Sequence, residues 1–304
     1  MSLASATLFI ERERVRKELY KTYKEMEELL KGVISEANEK NYISTDDKSM
    51  LGEYCKDFAD DIGICVRGEF EDFEDLENSG ARYYFPYLRS KVISSVEEIT
   101  IERHAEKESY AGVCDDVKVG VILIFYLQNM ITSLKLKNSG RFYGTPNTLS
   151  LSALSCQGRI MMPIEKHQED EAKVRKVITK RNALLTKARQ GDEEAIETLT
   201  LDDMDMYSNI SKRIYTEDIY SLVDTFFMPY GVECDHYSVL GEIKDCRKVR
   251  NSMTEEECYI MTISANDLLF DVCINKDDLY GEPAIGRRFK GIIWMQGYIN
   301  YPDV

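Results

Sequence analysis

The sequence predicts an α+β fold with three parts: an N-terminal antiparallel sheet covered by helices, a charged helical connector, and a small C-terminal β-barrel of the OB-like or SH3-like kind. Three patterns predict it. Apolar residues recur at spacings of three and four over residues 11–38, β-branched and aromatic runs follow between residues 62 and 103, and apolar residues alternate with polar ones after residue 238. A chain of 304 residues with 43% hydrophobic content suffices for two domains and a connector, which we place at residues 5–164, 229–304 and 165–228.

The N-terminal domain is predicted to follow the order α-β-β-β-α-β-β. Its first helix is the amphipathic stretch of residues 11–38, whose apolar stripe must pack against a sheet. The first three strands are expected to form an antiparallel meander. The predicted strands lie at residues 62–67, 82–88, 98–103, 148–153 and 159–164. Residues 113–137 are apolar on nearly every side, which predicts a central core helix that ends at Asn138-Ser139-Gly140.

The connector is predicted to be a helical hairpin that breaks at Gly191-Asp192. Residues 173–189 carry seven basic side chains and no acid, and residues 192–205 carry seven acids and no base. A basic helix alone would be typical of nucleic-acid or membrane binding. Because the acidic run follows directly, neutralisation within the hairpin is the interpretation that we favour.

The C-terminal domain is predicted from strands that alternate around residues 239–243, 259–263, 268–274 and 289–299. Four to five strands in so short a span suggest a small barrel. In the last strand, Phe289, Ile293, Met295 and Ile299 are expected to point inward. Trp294 and Tyr298 should lie on the opposite face, packed against the connector or the N-terminal domain.

Composition and charge narrow the class of partner. The chain carries 39 Lys+Arg and 54 Asp+Glu, a formal charge of -15 that repels phosphate backbones and anionic membranes. A protein partner with a hydrophobic or basic surface fits this charge better. The apolar run of residues 120–130 is too short to cross a bilayer, and the N-terminus lacks the order of a secretory signal. We therefore expect a cytoplasmic protein.

The cysteines favour free thiols and no metal site. Eight cysteines are spread along the chain without any CxxC pair, which is typical of buried thiols in a reducing compartment. Cys234-Asp235-His236, with Cys246 and Cys258 beyond, matches no known zinc spacing. The sequence predicts neither a bound metal nor a cofactor.

A polar cluster at residues 102–116 holds the candidates for catalysis. His104, Glu106, Asp115 and Asp116 could supply a general acid or base, provided that they meet in space. His104-Ala105-Glu106 has the HxE form of a zinc deaminase, but the PCxxC that completes such a site is missing. The alternative is structural: the two aspartates favour the start of the predicted core helix through its dipole.

A candidate binding face lies on the last predicted strand. Arg288, Lys290, Trp294 and Tyr298 combine cations with aromatic rings that could stack on bases. The surrounding residues 229–304 carry 8 Lys+Arg and 13 Asp+Glu, which disfavours nucleic acid. No phosphate-binding, dinucleotide or hydrolase signature occurs in the chain.

Three stretches of the chain read ERHAEKESYAGVCDDVKVGVILIFYLQN, FFMPYGVECDHY and GEPAIGRRFKGIIWMQG. They resemble segments of an uncharacterised family of hypothetical proteins from clostridial bacteria, a domain of unknown function. The resemblance covers the chain from about residue 55 onward. It implies a bacterial cytoplasmic origin and no known activity, so no functional residue carries over.

The sequence contains many regularly spaced apolar residues but no complete set of catalytic residues. The leading hypothesis is therefore a non-enzymatic interaction protein. The alternatives are an enzyme centred on His104, Glu106 and Asp115, and oligonucleotide binding by the C-terminal barrel. The sequence indicates neither the partner nor the oligomeric state.

Overall fold

The computed structural model describes residues 19–44, 50–70, 83–103, 110–116, 121–140, 147–164, 171–213, 223–232 and 234–302. Over these residues the chain is a mixed α+β protein made mostly of strands, with four α-helices. The strands form two sheets, one of four strands near the N-terminus and one of eleven strands. The α+β class and the N-terminal antiparallel sheet are confirmed.

The first sheet is antiparallel throughout, in the order β1-β2-β3-β4. Its strands are β1 Glu39–Ser44, β2 Met50–Ala59, β3 Ile62–Phe70 and β4 Tyr83–Leu88. Helix α1, Leu19–Ser35, covers one face, where its buried residues Leu30, Val33 and Ile34 pack with Tyr54 and Val66 of the sheet. The predicted amphipathic helix is thus confirmed over the residues described.

The second sheet draws strands from both sides of the helical connector. Its strands are β5 Ile99–Arg103, β6 Tyr110–Cys114, β7 Leu123–Leu127, β8 Thr148–Ser155, β9 Gly158–Met161, β10 Phe226–Pro229, β11 His236–Arg250, β12 Glu257–Ala265, β13 Leu268–Asn275, β14 Leu279–Tyr280 and β15 Arg288–Asn300. The main order is β10-β11-β12-β13-β8-β15-β7-β6-β5. A short 3₁₀ helix, Lys276–Asp278, precedes β14.

Five strands of this sheet pair in a ring. β11 pairs with β12, β12 with β13, β13 with β8, β8 with β15, and β15 again with β11. β11 pairs with β15 up to Glu242 and with β12 from Glu242 onward, with a register shift between Ile243 and Asp245 in its pairing with β12. The largest hydrophobic core contains Phe289, Ile293, Met295 and Ile299, all four fully buried as the alternation predicts. The domain boundaries themselves stay a prediction.

Two predicted elements are wrong. β5 does not continue the meander of β3 and β4, because it pairs with β6 in the second sheet. Residues 113–137 are not one helix: they include the end of β6, all of β7 and most of α2, Met130–Asn138. In β7 four of the five residues are buried, so the strand reads as a continuous apolar run. Such a run does not distinguish a buried strand from a buried helix.

The predicted end of the core helix is correct, because α2 ends at Asn138 and Gly140 takes a positive φ of 72°. The helical hairpin is also present. Its helices are α3 Glu171–Arg189 and α4 Glu193–Arg213, with Gly191 at a φ of 85° between them. Arg181 Nη2 contacts Asp203 Oδ1 at 2.8 Å, an ion pair between the basic and acidic helices. No described helix combines the length and apolar character needed to span a membrane.

Candidate functional site

A buried polar cluster lies between the first sheet and the second. Cys55 of β2 faces Cys65 of β3 directly in the strand register, and Glu53 faces Arg67 in the same way. Because side chains two residues apart share a face of a strand, all four project from one face of the sheet. The opposite face carries the residues that pack on α1. Each of the four is at most 6% exposed.

Arg67 is the centre of this cluster. Its Nε donates to Glu53 Oε2 at 2.6 Å, its Nη1 to Tyr126 Oη at 2.8 Å, and its Nη2 to the carbonyl oxygens of Leu127 at 3.2 Å and of Gln128. Burial raises the pKa of Glu53, and the charge of Arg67 opposes that shift. Burial disfavours the charge on Arg67, but Tyr126 and Glu53 hold its pKa above the ordinary value. The pair is therefore a buried ion pair whose donors reach across to the second sheet.

The two sheets are also joined by a pair of buried amides. Gln296 Nε2 of β15 donates to Pro86 O at 2.8 Å, and its Oε1 accepts from Gln128 Nε2 at 2.8 Å. Gln128 Nε2 also donates to Leu88 O at 2.8 Å. These bonds satisfy backbone groups of β4, so they fix how the first sheet sits on β15.

A cavity opens from this cluster to solvent. It encloses about 300 Å³, a volume that includes open solvent, and has room for about one water-sized species. Buried Cys55 and Cys65 form the part of its lining that we call the floor. Partly exposed Arg89 and Glu39 also line it, and both guanidinium Nη atoms donate to the two carboxylate oxygens. The hydrogen bond from Arg89 lowers the pKa of Glu39.

The floor of the cavity has the ligand types of a metal centre. The carboxylate of Glu53 and the sulfurs of Cys55 and Cys65 all lie within 4.8 Å of one another. Within the described residues, no other set of three histidine, cysteine or acidic side chains converges in this way. Burial, followed by contact with Cys55 and Glu53, raises the pKa of Cys65 well above its ordinary value. The Cys65 thiol is therefore protonated at neutral pH unless a cation replaces its proton.

Of the predicted catalytic residues, Asp115 and Asp116 do not line this cavity. Asp116 is 1% exposed and accepts a hydrogen bond from Ser95 Oγ at 2.7 Å. The Asp115 side chain is 58% exposed and pairs with Arg189 Nη1 of α3 at 2.5 Å. The two carboxylates follow strand β6, so the expectation that they begin a core helix is wrong. His104 and Glu106 lie outside the described residues.

The predicted binding face divides into separate environments. Arg288 is 4% exposed, with Nε donating to Met162 O and Nη1 to Val223 O, both at 3.0 Å. Lys290 is half-buried. Trp294 and Tyr298 lie beside the first sheet.

The aromatic side chains of Trp294 and Tyr298 are both half-buried. The Trp294 ring lies 5.3 Å from that of Tyr126, and its Nε1 donates to Asp235 Oδ2 at 2.8 Å. Burial disfavours ionised Asp235, but hydrogen bonds from His236 and Trp294 lower its pKa overall. The Tyr298 ring lies 5.8 Å from the Arg89 guanidinium carbon. The two rings thus pack beside the cavity and the first sheet.

The hairpin presents a second surface of interest. In α4, Ala195 and Leu199 are buried, while Ile196, Leu201 and Met204 are 46%, 58% and 64% exposed. At about 100° per residue, the exposed three span an arc of roughly 140° around the helix, and the buried two lie outside that arc. A helix that exposes three large apolar side chains within one arc is typical of a contact surface.

Sequence reasoning missed Glu53, Cys55, Cys65 and Arg67. The signal was present as two short alternating patterns, Glu-Tyr-Cys at residues 53–55 and Cys-Val-Arg at residues 65–67. Recognising it required the β2–β3 register, which places the two patterns opposite each other. Spacing along the chain alone does not show it.

Comparison with known proteins gives a family and no activity. The family model for "Domain of unknown function, E. rectale Gene description (DUF3881)" matches residues 17–297. No curated protein and no solved structure matches the chain. The match includes both sheets, the buried cluster and the helical hairpin. The resemblance to an uncharacterised clostridial family is thereby confirmed, and the chain belongs to DUF3881, a domain of unknown function named for an E. rectale gene.

Proposed function

We propose that this chain is a non-enzymatic cytoplasmic interaction protein that binds a basic partner protein through helix α4 of its hairpin. The observation that carries the proposal is the exposure of Ile196, Leu201 and Met204 along one side of that helix. Monomeric proteins usually bury such residues or use them to bind. The hairpin is tied to the second sheet by the Arg189–Asp115 ion pair, at its turn.

The charges around the apolar residues define the chemistry of the partner. Glu193, Glu194, Glu197 and Asp202 are exposed on the same helix. The whole chain has a formal charge of -15. Interfaces commonly place an apolar centre inside a polar rim, and complementary charge speeds encounter and selects the partner. A surface with apolar side chains surrounded by lysine and arginine therefore fits α4.

Three other features favour a cytoplasmic interaction protein over an enzyme or an oligonucleotide-binding protein. Cys55, Cys65, Cys114, Cys258 and Cys273 are buried, which is typical of thiols in a reducing compartment. Trp294 and Tyr298 pack beside the first sheet, which leaves less of their faces for stacking on bases. The ring of paired strands β11, β12, β13, β8 and β15 supports a small closed barrel as the scaffold, with β8 supplied from before the connector.

The experiment compares three proteins as bait for cross-linking in a lysate of a clostridial host. The bait proteins are the wild type, the triple variant Ile196→Ser/Leu201→Ser/Met204→Ser, and a control. The control, Ile93→Ser/Val96→Ser/Ile122→Ser, changes residues that are 56%, 71% and 56% exposed elsewhere on the surface. A partner cross-linked to α4 should be lost with the triple variant and retained with the control.

The partner is then purified and its affinity measured. We expect the triple variant to bind at least about tenfold more weakly, since each lost interface anchor costs on the order of 1 kcal/mol or more. Binding should weaken at high salt because the partner is basic. Light scattering that reveals a dimer built on the same three residues would contradict a separate partner. Saturable turnover lost in His104→Ala would overturn the non-enzymatic proposal.

A further inference from the structure

We propose that Glu53, Cys55 and Cys65 form a binding site for one zinc-like divalent cation at the floor of the cavity between the sheets. The three ligand atoms already lie within 4.8 Å of one another. Tetrahedral zinc with sulfur bonds near 2.3 Å needs sulfur atoms about 3.8 Å apart, so small rotations of the side chains complete the geometry. This site is independent of the hairpin surface.

The ligand set is held by backbone pairing. Cys55 and Cys65 are directly opposite each other on adjacent strands, and Glu53 precedes Cys55 by one strand period. Sites built on strands are more precise than sites on loops, because the register fixes the positions of the ligands. Thiolates together with a carboxylate favour zinc over calcium or magnesium, which prefer oxygen ligands only.

Charge balance also favours the site. The carboxylate of Glu53 and the guanidinium of Arg67 are joined at 2.6 Å and balance each other's charge. A divalent cation that displaces one proton from each thiol adds two positive charges and creates two thiolates. The net charge of the buried cluster is therefore the same before and after binding, and no uncompensated charge is buried.

Arg67 and the cavity supply the surroundings that such a site needs. A carboxylate can accept from Arg67 and coordinate a cation at the same time, and an outer partner of this kind fixes a ligand's orientation. The cavity is lined by buried Cys55 and Cys65 and also by partly exposed Arg89, so the ligands are not sealed from solvent. It has room for about one water-sized species, the size of a fourth ligand.

The test is a titration of reduced, metal-free protein with Co²⁺, followed by displacement with Zn²⁺. We expect one Co²⁺ per chain and a near-ultraviolet charge-transfer band from the thiolates. Zn²⁺ should remove the band. Cys55→Ser and Cys65→Ser should each abolish the band, and Glu53→Gln should weaken binding by at least about tenfold.

A second pair of buried thiols provides the matched control. Cys258 and Cys273 are 1% and 3% exposed, and the thiols contact each other. Within the described residues they belong to no group of three converging ligands. The variant Cys258→Ser/Cys273→Ser should therefore keep both the band and the affinity.

A measurement on the wild type decides the case if the cysteine variants fail to fold. Calorimetry in two buffers of different ionisation enthalpy should show that protons are released as the ion binds, because a thiol that becomes a thiolate ligand gives its proton to the buffer. A reduced protein that binds no Co²⁺, or one whose band is lost in Cys258→Ser/Cys273→Ser, would overturn the proposal. Formation of a Cys55–Cys65 disulfide in air, with no binding in the reduced state, would identify a redox pair instead.

Discussion

Replacing Arg67 with methionine removes the cation from the buried cluster and leaves Glu53 without its ion-pair partner. Both side chains are almost fully buried, with side-chain exposures of 2% and 4%. Breaking a buried ion pair by deleting one partner costs about 3–5 kcal/mol. The carbonyl oxygens of Leu127 and Gln128 lose donors as well, which adds to the cost. We expect Arg67→Met to lower the free energy of unfolding by at least about 3 kcal/mol at pH 8.

The pH dependence of this loss of stability tests whether the unpaired, buried Glu53 carboxylate causes it. In the variant, burial without an opposing cation should raise the pKa of Glu53 further above its ordinary value of 4.5. A carboxyl whose folded pKa exceeds its unfolded pKa favours the fold below the unfolded pKa, and this contribution disappears as the pH rises through the folded pKa. Arg67→Met should therefore be less destabilising at pH 5 than at pH 8, with a difference bounded by about 1.4 kcal/mol per pH unit.

The assay is urea unfolding in the presence of a chelator, followed by the fluorescence of the single tryptophan, Trp294, beside Tyr126. The control is the double variant Arg67→Met/Glu53→Gln, which carries no buried charge at either position. It should recover part of the stability at pH 8 and lose the pH dependence. A single variant that costs under about 1 kcal/mol, or costs the same at both pH values, would refute the reasoning.

Three further predictions concern single side chains or glycines. Tyr237 Oη accepts from Ile124 N at 2.8 Å and donates to Ile124 O at 3.0 Å, so Tyr237→Phe should cost about 1–3 kcal/mol in urea unfolding. A Cβ at Gly63 would lie 2.2 Å from a backbone oxygen, so Gly63→Ala should cost about 1–3 kcal/mol, whereas Gly32→Ala, with open space in α1, should stabilise by about 0.5–1 kcal/mol. Asp235 has a lowered pKa, so the stability advantage of wild type over Asp235→Asn should be present above pH 3.8 and disappear as the pH falls through the folded pKa.

Each of these has a contrary outcome. Unfolding curves for Tyr237→Phe that coincide with wild type would mean that its hydroxyl does not join β7 to β11. Equal effects of alanine at Gly63 and Gly32 would contradict the close approach at Gly63. If wild type stays more stable than Asp235→Asn by the same amount down to pH 2, the hydrogen bonds to this carboxylate do not favour its ionised form.

The elements that the sequence predicts well are those whose apolar residues recur with a regular period. Helix α1 and strands β12, β13 and β15 have such a period in the sequence, and each lies close to its predicted position. β7 is buried on both sides, so its residues lack the period that separates a strand from a helix. β2 was missed because buried Glu53 interrupts its apolar face.

The candidate site could not be predicted from the sequence, for a related reason. Residues 55 and 65 gain meaning only as opposite members of a strand pair, and the register of β2 and β3 is a tertiary property. Arg67 likewise donates hydrogen bonds to groups some sixty positions away along the chain. A single charged residue in a strand carries no sign that it will be buried with its partner.

The contacts of Arg288 have a consequence for the architecture of the chain. One guanidinium group binds both Met162 O, just before residues 165–222, and Val223 O, just after them. The chain therefore leaves and re-enters the sheet at nearly the same place, so for the sheet the hairpin segment is an insertion with adjoining ends. The entropy of closing such an excursion changes slowly with its length. A short flexible linker should be able to replace it while the sheets still fold, and hairpins of different sequence could be exchanged on an unchanged scaffold.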